Sequence, residues 1–215
     1  MKKIILISLL TIGSLPLLAQ TSVGLKVGGA LSGQAFEGVG LSSGNDVKPT
    51  YLGGVFVTVP LTKTFILQPE VLYINKGLQF VGNSSNPTRY NLHYLSVPIM
   101  LRYHILNRLT VELGPEVSYL LDATTNLNFN NAFSSLPTSS IERQLNSYKN
   151  LDLALNVGVG YAISDRWAVN LRYNLGLYDV SEDFTISVLN REEPNLISGP
   201  TYNRSLQLSV GLRLF

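Results

Sequence analysis

Cysteine is absent from the 215 residues, histidine occurs twice, tryptophan once and methionine twice, and only 14% of residues are charged. Without cysteine there is no disulfide to staple a small core and no thiolate for catalysis or metal binding. The two histidines leave little for nucleophilic chemistry. A Ser-His-acid hydrolase needs a His and a Ser on one face at one height. The strand carrying His93 offers Ser96, which has the opposite parity, and His104 falls at a short turn. We therefore expect no enzyme, no metal and no cofactor. The acidic residues Asp179, Glu182, Asp183, Glu192 and Glu193 leave calcium conceivable, but they read better as a solvated loop. Charge of one sign is also lacking, with a formal net charge of +2. A nucleic-acid partner, which favours a basic surface, is not expected.

Long hydrophobic runs are scarce too. The one candidate follows Met1-Lys2-Lys3, extends from Ile4 to Leu18 and closes on Ala19-Gln20. A basic start, an apolar stretch and a small residue describe a secretory signal peptide, cleaved after Ala19 or Gln20. This predicts a signal over residues 1–19 and one domain over 20–215. Loss of Lys2 and Lys3 takes the sixteen basic residues to fourteen, equal to the fourteen acidic ones. With no second apolar run of about 20 residues, a membrane can be crossed only by strands.

What the chain does have is alternation. In Val23–Ser32, Leu151–Tyr161, Trp167–Leu177 and Leu206–Leu214, every second residue is apolar and small or polar residues lie between. A period of two is the strand period, with successive side chains on opposite faces. Eight strands are predicted, over Ser22–Ser32, Thr50–Val59, Phe65–Phe80, Tyr90–Tyr103, Leu109–Leu121, Leu151–Ile163, Trp167–Leu177 and Asn203–Phe215. The connections alternate between short turns and long segments rich in Asn, Ser, Thr, Gly and Pro. That alternation is the pattern of an all-β, eight-stranded antiparallel up-and-down transmembrane barrel, with short turns and both termini periplasmic. A soluble lipocalin-like barrel is the alternative, but its outward face should be polar.

Aromatic residues fall at two heights. Phe65, Tyr103, Tyr161, Trp167 and Phe215 lie near the short-turn ends, and Tyr51, Tyr73, Tyr90, Tyr94, Tyr119 and Tyr178 near the long-connection ends. They are expected to form two interfacial girdles. Phe215 follows Leu214 and so has inward parity unless a bulge intervenes.

The polar set then faces the lumen: Lys26, Gln68, Glu70, Lys76 near the rim, Arg102, Glu112, Glu116, Asp122, Asp152, Asn156, Asn170, Arg172 and Arg213. An eight-stranded barrel is only wide enough for side chains to fill, so these charges should pair with one another. With a turn centred near Leu106 or Asn107, Arg102 sits opposite or diagonal to Glu112. We expect a network centred on Arg102, Glu112, Glu70 and Glu116, with Arg172 inside the same lumen. Inward Gly158 and Gly160 suit a crowded interior. Pro69, Pro98 and Pro115 conflict with a closed wall, because proline cannot donate to a ladder. They lie five to seven residues from short turns, which suggests one shared irregular level, with bulges as its expected form.

Leu67-Gln68-Pro69-Glu70-Val71-Leu72-Tyr73, Lys76-Gly77, Tyr94-Leu95-Ser96-Val97-Pro98, Leu113-Gly114-Pro115-Glu116, Gly158-Val159-Gly160-Tyr161 and Arg172-Tyr173-Asn174-Leu175-Gly176-Leu177 occur in one order. Together they resemble the small outer-membrane β-barrel proteins of Bacteroidetes, labelled porin family or PorT-like. Ser96 stands where that family usually has Glu, and the chain ends Leu212-Arg213-Leu214-Phe215 rather than in Tyr-Arg-Phe. The resemblance implies the barrel fold but no particular activity. The expected partners are outer-membrane lipid, lipopolysaccharide and the barrel-insertion machinery. Three roles are open: a non-enzymatic barrel acting structurally or through its outer loops, a subunit of an outer-membrane secretion or assembly complex, or a narrow transport pore.

Overall fold

A computed structural model of the chain describes residues 21–36, 47–77, 79–80, 88–126, 149–180, 186–188, 191–193 and 200–214. The expected signal peptide and Phe215 lie outside them. The strands are β1 (Ser22–Phe36), β2 (Lys48–Pro60), β3 (Phe65–Lys76), β4 (Gln79–Phe80), β5 (Thr88–His104), β6 (Leu109–Asn126), β7 (Leu151–Ala162), β8 (Trp167–Gly176), β9 (Ile186–Val188), β10 (Arg191–Glu193) and β11 (Thr201–Arg213). The sheet runs β3-β2-β1-β11-β8-β7-β6-β5, and pairing of β3 with β5 closes it into an eight-stranded antiparallel barrel. Among the described residues, no helix is long and apolar enough to cross a membrane.

The wall is inside-out. Among the described residues, 25 buried side chains are polar or charged and 11 are hydrophobic. Large apolar side chains such as Val27, Leu113, Val157 and Leu208 stand about half exposed on the outer face. The hydrophobic effect therefore cannot hold this barrel together from within in water. A continuous apolar exterior of this kind calls for an apolar surrounding rather than the polar outer face of a soluble barrel.

The three short turns repeat one construction. Leu61, Ile105 and Ile163 each donate their backbone N–H to the carbonyl four residues on, at 2.9, 3.0 and 2.9 Å. The hydroxyl of Thr62 accepts from the N–H of Phe65 at 2.9 Å, and that of Ser164 from Trp167 at 3.1 Å. Side-chain oxygens thus substitute for ladder partners where the strands end.

Two departures from the expected wall have local causes. The strand foreseen over Phe65–Phe80 is interrupted at Gly77, whose φ of 130° lies in the left-handed region that glycine tolerates best. Asn75, Lys76 and Gly77 are consecutively buried there, so the end of β3 curls into the barrel. On β6, His93 pairs with Asp122 but Tyr94 with Leu120, which leaves Leu121 as an extra residue in a bulge. Leu120 then points in, while Leu121 and Asp122 are exposed. Asp122, expected in the lumen, is therefore outside it.

The prolines share one level, but without bulges. The β2–β3 pairing stops at Phe56–Glu70 and resumes at Val59–Leu67, around Pro69. The β3–β5 pairing stops at Leu72–Ser96 and resumes at Pro69–Ile99, around Pro98. The β5–β6 pairing skips from Pro98–Glu116 to Leu101–Leu113, around Pro115. Each gap keeps its register, so the missing proline donor costs pairing locally and leaves the alternation of faces intact.

Candidate functional site

Two groups of buried charges occupy the lumen, one above the other. The group nearer the short turns is built on Glu70 (β3), Glu112 (β6), Lys26 (β1), Arg102 (β5) and Arg172 (β8). Arg172 makes a fork to Glu70, Nη1 to Oε2 at 3.1 Å and Nη2 to Oε1 at 3.0 Å, and donates from Nε to Glu112 Oε1 at 3.0 Å. Lys26 Nζ reaches Glu70 at 2.5 Å, and Gln68 donates to the same carboxylate at 2.7 Å. Arg102 lies directly opposite Glu112 in the β5–β6 register, with 3.7 Å between its Nε and Glu112 Oε2. These two atoms have no hydrogen-bond partner. Arg102 instead donates to Gln68 at 2.6 Å and Thr110 at 3.2 Å. A bidentate guanidinium is the geometry that best satisfies a buried carboxylate.

The group nearer the long connections centres on Lys76, not on an arginine. Its Nζ donates to Glu116 at 3.1 Å and to Asp152 at 3.0 Å, and lies over the Tyr94 ring at 5.1 Å. Asn156 and Ser118 donate to Glu116 at 2.9 and 3.0 Å, and Asn203 to Asp152 at 2.9 Å. Ser96 shares a 2.7 Å hydrogen bond with Ser118. A carboxylate at position 96 would face one already present at Glu116. The expected single network therefore divides. Glu70, Arg102, Glu112 and Arg172 come together, whereas Glu116 belongs with Lys76, well inside the rim to which sequence position assigned that lysine.

Glycines make room for these groups. A Cβ at Gly158 would stand 3.1 Å from Glu112 Oε1, and one at Gly160 2.9 Å from Arg102 Nη2. Near the short-turn end, the Phe56 ring fills the space left by Gly24, where a Cβ would meet it at 2.2 Å. Phe56 and Tyr94 were not foreseen as lumen groups. Their parity was the available signal: Phe56 lies between inward Gly54 and Thr58, and Tyr94 shares the face of Ser96. Tyr94 thus leaves the expected girdle for the interior, where it packs with Leu92 and Leu120.

On the outer face, Phe65, Tyr103, Tyr161 and Trp167 are exposed near the short turns, and Phe65 packs on Tyr103 with ring centroids 5.0 Å apart. Tyr51, Tyr73, Tyr119 and Tyr178 are exposed near the other end. Tyr73 stacks between Tyr51 and His93, and its hydroxyl lies 2.6 Å from His93 Nδ1. The Tyr90 side chain is outside the described residues. In the acidic segment, Asp179 pairs with Lys149 at 3.2 Å and accepts from the Thr201 N–H at 2.7 Å. The side chains of Glu182, Asp183, Glu192 and Glu193 lie outside the described residues. Among those described, no three His, Asp or Glu side chains are placed to hold a metal ion.

A family model described as outer membrane protein beta-barrel domain matches residues 18–182. No curated protein matches the sequence. Among solved structures, Neisserial surface protein A is 13% identical, with a TM-score of 0.55, over 90% of this chain and 99% of that one. Outer membrane protein W of E. coli is 16% identical, with a TM-score of 0.43, over 90% and 97%. The attachment invasion locus protein of Yersinia pestis, solved with a heparin analogue, is 11% identical, with a TM-score of 0.46, over 90% and 99%.

Proposed function

Because this chain belongs to the family of outer membrane protein β-barrel domains, we propose that it is a non-enzymatic integral barrel of the outer membrane with a plugged lumen. It acts structurally or through its long connections. In this reading residues 1–19 are a signal peptide, both termini and the short turns are periplasmic, and the long connections face outward. The exposed aromatic rings sit at the two lipid interfaces. The insertion machinery, lipid and lipopolysaccharide are its general partners.

One observation supports the plugged lumen above others. Strands β3 and β8 are four places apart in a ring of eight, on opposite sides of the bore. Arg172 on β8 nonetheless forms its fork with Glu70 on β3. A side-chain bridge spans the diameter, and further along the Lys76 group links β3 to β6 and β7 across part of the bore. A general pore needs a much wider barrel. In planar bilayers the purified protein should give no stable conductance steps, whereas R172A combined with E70A should give them. Ohmic steps from the unaltered protein would favour the narrow-pore reading. Crosslinking from the segment 127–148 in intact cells distinguishes the remaining roles. Recovery of lipopolysaccharide alone fits a structural barrel, and recovery of a single protein fits a subunit of an envelope assembly.

A further inference from the structure

The short-turn mouth of the barrel holds a recess of about 60 Å³, which borders the lumen group at Arg102. Arg102 and His104 from β5, Arg108 and Arg166 from two short turns, and Arg213 from the end of β11 all line it. Asp165 is the one carboxylate in the lining. Arg102 shares its charge with Glu112, but the side chains of Arg108, Arg166 and Arg213 make no ion pair or hydrogen bond among the described residues. The recess therefore has a positive excess held by long side chains free to converge.

One buried polar atom is left over in the same place. Thr58 is 3% exposed and lines the recess, and its hydroxyl has no hydrogen-bond partner. Arg102 Nε also lacks a hydrogen bond, but it faces Glu112 Oε2 at 3.7 Å and belongs to the lumen group. A buried hydroxyl without a partner is costly and calls for an explanation. The Phe56 ring also lines the recess, and Lys26 Nζ lies 5.9 Å from its centroid. A buried donor and an excess of positive charge together suit an oxyanion. Several forked guanidinium groups suit a tetrahedral oxyanion such as phosphate better than a carboxylate.

We propose that this mouth binds a phosphate group, carried either by free phosphate or by a lipid headgroup. With the full-length protein in a maltoside detergent, isothermal titration calorimetry should show saturable binding of inorganic phosphate and none of chloride at equal ionic strength. R166Q/R213Q should weaken binding at least tenfold, and T58V about threefold, while both variants keep the folded, heat-modifiable gel mobility. A diffuse basic rim would not respond to T58V. If free phosphate fails but phosphatidylglycerol is retained in native mass spectrometry and lost from R166Q/R213Q, the phosphate is that of a headgroup. No saturable binding of either probe, or equal binding by the variants, would overturn the proposal.

Discussion

Lys26 and Lys76 are the same residue type, equally buried in one lumen, and each is bound to carboxylates, yet they occupy different electrostatic settings. Lys26 belongs to a group of three cations and two carboxylates, in which Arg172 already grips Glu70 with two hydrogen bonds. Among the described residues, Lys76 is the one cation paired with Glu116 and Asp152. Burial alone therefore does not say what a buried ion pair contributes. The cost of losing one partner depends on what charge remains without compensation.

That difference orders the expected effects of substitution. K76M should be the most damaging, at about 4 kcal/mol in urea unfolding from lipid bilayers, because it leaves two buried carboxylates unpaired. Equal losses for K76M and K26M would break the comparison. E112L should follow at about 3 kcal/mol, since it leaves three cations against one carboxylate, with a visible loss of heat-modified gel mobility. Acid sharpens the contrast. Lowering the pH should recover part of the K76M loss, because carboxylates can be neutralised by a proton, but not the E112L loss, because guanidinium stays charged. K26M should cost about 1 kcal/mol or less, as two arginines still balance two glutamates. On the outer wall, Y73F removes a hydrogen bond to a half-buried histidine and should cost at most about 0.5 kcal/mol. A larger value would give the Tyr51–Tyr73–His93 stack a role beyond packing.

Much of the wall was legible in the sequence, and the failures are local. Each of the eight barrel strands lies within a few residues of its expected bounds, because alternation reports directly on backbone geometry. Asp122 was misplaced because a one-residue bulge at Leu121 reverses parity, and nothing in Tyr119-Leu120-Leu121-Asp122 announces an extra residue. Pro69, Pro98 and Pro115 were read as a shared level, but not as gaps that preserve register. Tyr94 was assigned to a girdle by height along the strand, when its parity with Ser96 already placed it inside.

The division between sequence and structure follows the reach of the interactions. The order of apolar and polar residues along each strand decides which side chains face inward, since that depends only on the two-residue period of an extended backbone. It also determines adjacent pairs such as Arg102 and Glu112, whose spacing is set by the turn between them. Which charges meet across the bore is another matter. Arg172 meets Glu70, and Lys76 meets Asp152, only because β3 pairs with β5 and closes the ring. Closure brings together residues 102 and 76 positions apart in the chain. No local pattern encodes that distance, so the division of the lumen charges into two groups is a product of the closed barrel itself.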